Sequence, residues 1–180
     1  MVVASELTET PPSPARRGTL LIVDDEEGPR LSLKLIFKDK YDLLLADDGA
    51  KAIELAQQND IDVAVLDIRM AGMSGIELLE RLRFVRPDLE AIMITAFETT
   101  DTMRQALRLR AADYINKPFD IATIRAAVGA AMQRRMLERD IKKVMEGGDP
   151  EGVIFDPAQE MVHVPSGNFF RETASVAEPA

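Results

Sequence analysis

The sequence predicts a doubly wound α/β domain: a five-stranded parallel sheet flanked by five helices. Two observations predict it. From about Thr19 onward, short near-continuous runs of Val, Ile and Leu alternate with longer amphipathic stretches. Continuous apolar runs are what strands need when helices cover both faces of a parallel sheet, because each strand is then buried on both sides.

The elements follow in order. Leu20 to Val23 reads as the first strand and Leu31 to Phe37 as the helix after it. Leu43 to Ala46 is the second strand, with Ala50 to Ala56 helical. Val63 to Leu66 and Ala91 to Ile94 are further strands, each followed by a helix, over Ile76 to Val85 and Thr102 to Leu109. Tyr114 and Ile115 make a last short strand before a helix from Ile121 to about Glu146, where Gly147, Gly148, Asp149 and Pro150 form a stop signal.

That last helix is longer than the fold requires. Apolar residues recur at Ile121, Ile124, Val128, Met132, Met136, Leu137, Ile141 and Val144, while Arg134, Arg135, Arg139, Lys142 and Lys143 line the other side. The apolar spacing drifts between three and four, so no sustained heptad seam is established. Two readings stay open: a self-associating helix that makes a homodimer, or an extension packed on its own domain with a solvated basic face. Beyond it, Val153 to Phe155 and Met161 to Val164 flank Asp156 to Glu160 as a small hairpin, which needs a partner surface to be stable. His163 reads as a strand side chain. The resulting division is a disordered, proline-bearing leader over 1–18, the α/β domain over 19–135, a helical extension over 136–148 and a tail over 149–180.

Composition excludes several classes of function. The 180 residues support one ordinary domain with extensions, and a core of that size is stable without disulfides. There is no cysteine and one histidine, which removes thiolate zinc sites, iron–sulfur clusters, cysteine nucleophiles and multi-histidine metal centres. A net charge of −9 argues against affinity for nucleic acid or an anionic membrane. No stretch is apolar for long enough to span a bilayer, nor does Met1 to Gly18 carry the apolar run of a signal peptide, so a cytoplasmic location is expected.

Ligands in doubly wound folds sit beyond the carboxyl ends of the strands. Asp24, Asp25 and Glu26 follow the first apolar run, Asp67 the third, Thr95 the fourth, and Lys117 and Pro118 the fifth. All converge on one edge. Clustered carboxylates repel, so such a site calls for a hard cation, and Mg²⁺ suits it because it needs few protein oxygens. Singly, each residue also has a plain reading, as a helix cap, a loop-holding carboxylate or a solvated lysine.

The segments Leu20-Leu-Ile-Val-Asp-Asp-Glu-Glu27, Val65-Leu-Asp-Ile-Arg-Met-Ala-Gly-Met-Ser-Gly75, Ile92-Met-Ile-Thr-Ala96 and Asp113-Tyr-Ile-Asn-Lys-Pro-Phe119 resemble the receiver domains of bacterial two-component response regulators. The likeness runs from about Thr19 to Arg135 and is greatest to receivers attached to nitrogen-regulator-type transcription factors. The resemblance implies a flavodoxin-like fold and transfer of a phosphoryl group to Asp67 from a histidine kinase or phosphotransfer protein. It implies Mg²⁺ held by Asp25, Asp67 and the Arg69 carbonyl, with Asp24 helping through water. Lys117 would pair with Asp67 and then with a phosphoryl oxygen. Thr95 and Tyr114 would act as the switch, with Ile68 and Ala96 lining the phosphoryl pocket and Arg69 and Phe97 flanking it. Two departures stand out: Ala71 replaces a common proline, which is expected to loosen the loop after the acceptor, and Arg110 replaces a common glycine.

No helix-turn-helix, ATPase loop or cyclase-like block follows the domain, so output through a downstream protein target is expected, with no catalysis beyond the chain's own phosphoryl transfer and slow dephosphorylation. Two alternatives differ in class. A magnesium phosphohydrolase with an aspartyl nucleophile would resemble haloacid-dehalogenase-type enzymes, which place a second aspartate where this chain has Arg69. A receiver-shaped scaffold that takes no phosphate would lack one of the expected polar groups, and none is missing.

Overall fold

The computed structural model describes residues 17–96 and 99–146, together with the backbone of two short strands at 153–154 and 162–163. All of the expected leader over 1–18 except Arg17 and Gly18, together with Phe97, the stop signal at 147–150 and the expected tail apart from the two short strands, lies outside the described residues.

The main domain alternates strand and helix: β1 Thr19–Val23, α1 Glu27–Phe37, β2 Asp42–Ala46, α2 Gly49–Gln58, β3 Val63–Asp67, α3 Gly75–Val85, β4 Glu90–Thr95, α4 Thr100–Arg108, β5 Asp113–Asn116 and α5 Ile121–Met145. The five strands form one parallel sheet in the order β2-β1-β3-β4-β5. The order reverses between β1 and β3, and the crevice at such a reversal is where open α/β sheets bind ligands.

Alternation along each strand sorts side chains to the two faces. Leu21, Val23, Ala64, Leu66, Ala91 and Met93 pack with α2, α3 and Ala106 of α4. Leu20, Ile22, Val63, Val65, Ile92 and Ile94 pack with Leu33 and Phe37 of α1 and Ile124, Val128 and Met132 of α5. Fully burying such aliphatic side chains contributes roughly 1.5–3 kcal/mol each, so the two layers fix strand register firmly. A slip of one residue would exchange the two cores.

Helix starts were less legible than strands. Helix α1 begins at Glu27, a turn before Leu31, because Gly28 and Pro29 hide an opening turn that a proline tolerates. Helix α3 opens on a capping box in which Ser74 accepts from the Glu77 amide and Glu77 accepts from the Ser74 amide. Helix α4 ends with Arg110 at φ 55°, a left-handed residue whose N–H donates to the Leu107 carbonyl while the Ala111 N–H donates to Ala106. This is the Schellman geometry that glycine ordinarily fills. The Arg110 carbonyl then accepts a 2.6 Å bond from Arg83 Nη2.

Helix α5 corrects one expectation. Arg135, assigned from the sequence to the solvated basic side, is 9% exposed, because its guanidinium faces Asp88 and the fully buried Asp62 at the amino end of the sheet. Leu137, Ile141 and Val144 are about half exposed. The two short strands β6 Val153–Ile154 and β7 Val162–His163 pair antiparallel, as the hairpin reading expected.

Candidate phosphoacceptor site

The parallel registers Val23 to Leu66, Asp67 to Ile94 and Thr95 to Asn116 bring the carboxyl ends of β1, β3, β4 and β5 level. Whatever follows each strand therefore meets at one edge. Asp24 and Asp25 come from β1, Asp67 closes β3, Thr95 closes β4 and Lys117 follows β5. One carboxylate oxygen from each of Asp24, Asp25 and Asp67 lies within 4.8 Å of the others. Asp24 and Asp67 are buried and Asp25 is exposed, so the cluster opens to solvent on the Asp25 side.

Lys117 is the cation that holds this cluster together. Its Nζ donates to Asp24 Oδ2 at 2.8 Å and lies 3.3 Å from Asp67 Oδ1. The Lys117 backbone N–H donates to the Thr95 carbonyl, which fixes the root of the side chain, and the Lys117–Pro118 peptide is cis. Burial works to lower the Lys117 pKa, but the hydrogen bond to Asp24 and the charges of Asp67 and Asp24 together outweigh it and hold the ammonium above its ordinary value. Burial raises the Asp67 pKa; Lys117 opposes and Asp24 and Asp25 add to the rise, leaving the carboxyl above its ordinary value. A buried carboxylate beside two like charges and one ammonium gains from a second cation.

Asp24 is the most tightly held of the acids. Its Oδ1 accepts from the Glu26 amide at 2.9 Å, its Oδ2 from Lys117, and its backbone carbonyl from Arg30 Nη1 at 2.6 Å. Both carboxylate oxygens therefore already have protein donors. Asp25 Oδ2 accepts from the Ala71 amide at 2.8 Å. The loop expected to be loosened at Ala71 is thus tied to the acidic cluster by an N–H that proline could not supply.

The same loop is fixed from beneath by Gly75. A Cβ there would overlap the Asp67 carbonyl oxygen and lie 2.8 Å from its carbonyl carbon, so α3 starts against the backbone of Asp67 only because residue 75 has no side chain. Ile68 is buried, with its N–H bonded to the Ile94 carbonyl and its carbonyl to the Gly75 N–H. Arg69 and Ala96 are exposed at the rim.

Thr95 is fully buried at the strand end, and Tyr114 is partly buried on β5. The Tyr114 hydroxyl lies 3.2 Å from Thr102 Oγ1 on α4. Sequence reasoning missed Thr102, Arg30 and Gly75. Gly75 stood inside a quoted segment without a role, while Thr102 carries no signal of its own because threonine is not the usual third residue of a capping box.

An acidic cluster with one lysine, at the topological switch point of a 2-1-3-4-5 parallel sheet, defines the phosphoacceptor class of signalling domains. The family model for the response regulator receiver domain matches residues 20–129, and the chain belongs to that family. Sporulation initiation phosphotransferase F of Bacillus subtilis is 36% identical over 110 residues, covering 61% of this chain and 89% of its own length. Regulatory protein AtoC of Escherichia coli is 34% identical over 124 residues, covering 68% of this chain and 27% of its own. Among solved structures, a receiver domain protein (CheY-like) from Methanospirillum hungatei superposes with a TM-score of 0.66 at 25% identity, over 68% of this chain and 98% of its own. NtrX from Brucella abortus gives 0.65 at 26% identity, over 71% of this chain and 30% of its own. The chain thus spans most of the first of these relatives but about a quarter to two thirds of the length of the other curated relatives it matches. Among the described residues no helix is long and apolar enough to cross a membrane.

Proposed function

We propose that this chain accepts a phosphoryl group on Asp67 from a histidine kinase or phosphotransfer protein and signals through a changed protein-binding surface. The observation that carries the reading is the placement of Lys117 between Asp24 and Asp67, with Asp25 closing an acidic triad on the solvent side. An Asp67 carboxylate oxygen attacks phosphorus; the phosphorus–nitrogen bond of the donor phosphoimidazole breaks, and its electron pair stays on the departing ring. The product is an acyl phosphate.

The residues present fit Mg²⁺, since three carboxylates converge with a single ammonium to balance them. Asp25, Asp67 and the Arg69 carbonyl are the ligands we assign, with Asp24 acting through water because both of its oxygens are already taken. Held there, Mg²⁺ would offset the charge of the entering phosphoryl group and help to align it with Asp67. Lys117 holds Asp67 before transfer and a phosphoryl oxygen afterwards. Thr95 donates its hydroxyl to another oxygen, with Ile68 and Ala96 lining the pocket, and Tyr114 follows Thr95 as the second half of the switch.

We assign this activity to residues 19–135, with no turnover of external substrate and no nucleic-acid partner, in keeping with the net charge of −9. Half-exposed Leu137, Ile141 and Val144 are the seam we assign to a homodimer through α5. The deciding experiment is incubation with Mg²⁺ and acetyl phosphate, followed by mass spectrometry of the reductively trapped peptides. A single adduct at Asp67, absent in Asp67→Asn, supports the reading; continued multiple turnover of the donor would instead mark a phosphohydrolase, and no adduct would mark a scaffold.

A further inference from the structure

The region between Thr95 and Tyr114 contains a small hydroxyl network that the phosphoacceptor reading does not use. Thr99 is the N-cap of α4: its Oγ1 accepts from the Thr102 amide at 3.1 Å, and the Thr99 amide donates back to Thr102 Oγ1 at 3.2 Å. Thr102 Oγ1 also lies 3.0 Å from the Thr99 carbonyl and 3.2 Å from the Tyr114 hydroxyl. A threonine has one proton to give. With the Thr99 carbonyl taking it, Thr102 Oγ1 is left to accept from its other hydroxyl neighbours, Tyr114 and, at 3.0 Å, Thr99 Oγ1. The tyrosine on β5 therefore touches the cap of α4 through Thr102, and its ring cannot turn away without breaking that contact.

We propose that Thr102 is a positioning residue for Tyr114, holding the ring in its phosphate-free position and coupling its release to rearrangement of the α4 N-terminus. The proposal rests on the reading of Asp67 as acceptor and of Tyr114 as switch, and adds what sets the switch's resting position. On this proposal the bond belongs to the free form alone, so losing it shifts the equilibrium toward the form that binds a phosphoryl group.

The chain has two tyrosines, which makes the test direct. Labelled with 3-fluorotyrosine, it gives one ¹⁹F resonance from Tyr114 and one from Tyr41, a buried ring packed on Phe37 in the opposite core that serves as internal reference. In Thr102→Val, the Tyr114 resonance of the free protein moves toward its position in the complex with beryllofluoride and Mg²⁺, and the mimic binds about fivefold more tightly, the effect expected from one neutral hydrogen bond. Thr102→Ser restores both. In a Tyr114→Phe background, Thr102→Val leaves the affinity for the mimic unchanged.

An unmoved Tyr114 resonance in Thr102→Val overturns the proposal, and so does an equal gain in affinity with and without the Tyr114 hydroxyl, which would mean that Thr102 only caps the helix. If the native protein shows no Asp67-dependent binding of the mimic, the acceptor reading falls instead. The resonance of the free protein still decides whether Thr102 holds Tyr114.

Discussion

The Ala71 amide donates to Asp25 Oδ2 at 2.8 Å, linking two residues 46 positions apart in the chain. This bond ties the loop that follows the acceptor to the exposed member of the acidic triad. It binds one oxygen of Asp25 and leaves the other for a cation. The loop is therefore held before any metal arrives, by a donor that exists only because residue 71 is not proline.

Removing the acceptor of that bond should free the loop. In Asp25→Ala, hydrogen exchange at the Ala71 amide accelerates roughly tenfold in the absence of metal, the effect of losing one hydrogen bond to a charged group. Asp25→Asn keeps an acceptor oxygen and retains most of the protection. Equal exchange in all three proteins would mean that the loop is held by other contacts.

Lys117 neutralises part of a buried acidic cluster, so truncating it leaves Asp24 and Asp67 facing each other without a cation. We expect Lys117→Met to destabilise the metal-free protein by about 2 kcal/mol, less than the cost of breaking a fully buried ion pair because the Lys117 side chain keeps 16% of its exposure. Thermal melts with and without Mg²⁺ check this. The metal should raise the melting temperature of the variant more than that of the native chain, because it stabilises the folded form by mass action and replaces the missing charge.

Gly75 allows α3 to begin against the backbone of the acceptor strand. Gly75→Ala places a methyl group into the Asp67 carbonyl and should cost about 2–3 kcal/mol, the upper range for overpacking, since backbone cannot move aside as a side chain can. Chemical denaturation measures the loss. The displaced Asp67 should also accept phosphate from acetyl phosphate more slowly than in the native chain.

Arg110 pays for a conformation that glycine adopts freely. Arg110→Gly should stabilise the domain by about 0.5–1 kcal/mol, the left-handed strain of an L-residue less the added freedom of glycine in the unfolded chain. Its carbonyl bond to Arg83 is backbone and survives the substitution. Denaturant midpoints of the two proteins decide the sign.

The elements were legible in the sequence because their signals are local. Five near-continuous apolar runs read as strands buried on both faces, and the polar residues after the first, third, fourth and fifth marked one edge. Helix starts at Glu27 and Thr100 were less legible, because glycine, proline and threonine at those turns do not follow the apolar period. The burial of Arg135 was hidden for a similar reason: helical period placed it on a polar side, and the partners that draw it inward, Asp62 and Asp88, are distant in sequence.

What the sequence determined by itself was the architecture and which polar residues gather at one edge, since strand order in such folds is tightly constrained and Asp24, Asp25, Asp67, Thr95 and Lys117 each end or follow a strand. What the tertiary structure decided was who holds whom. Ala71 braces Asp25, Lys117 sits nearer Asp24 than Asp67, and Thr102 meets the hydroxyl of Tyr114. Hydrogen bonds depend on tenths of an ångström between atoms brought together by packing, and no periodicity in the chain encodes distances of that kind.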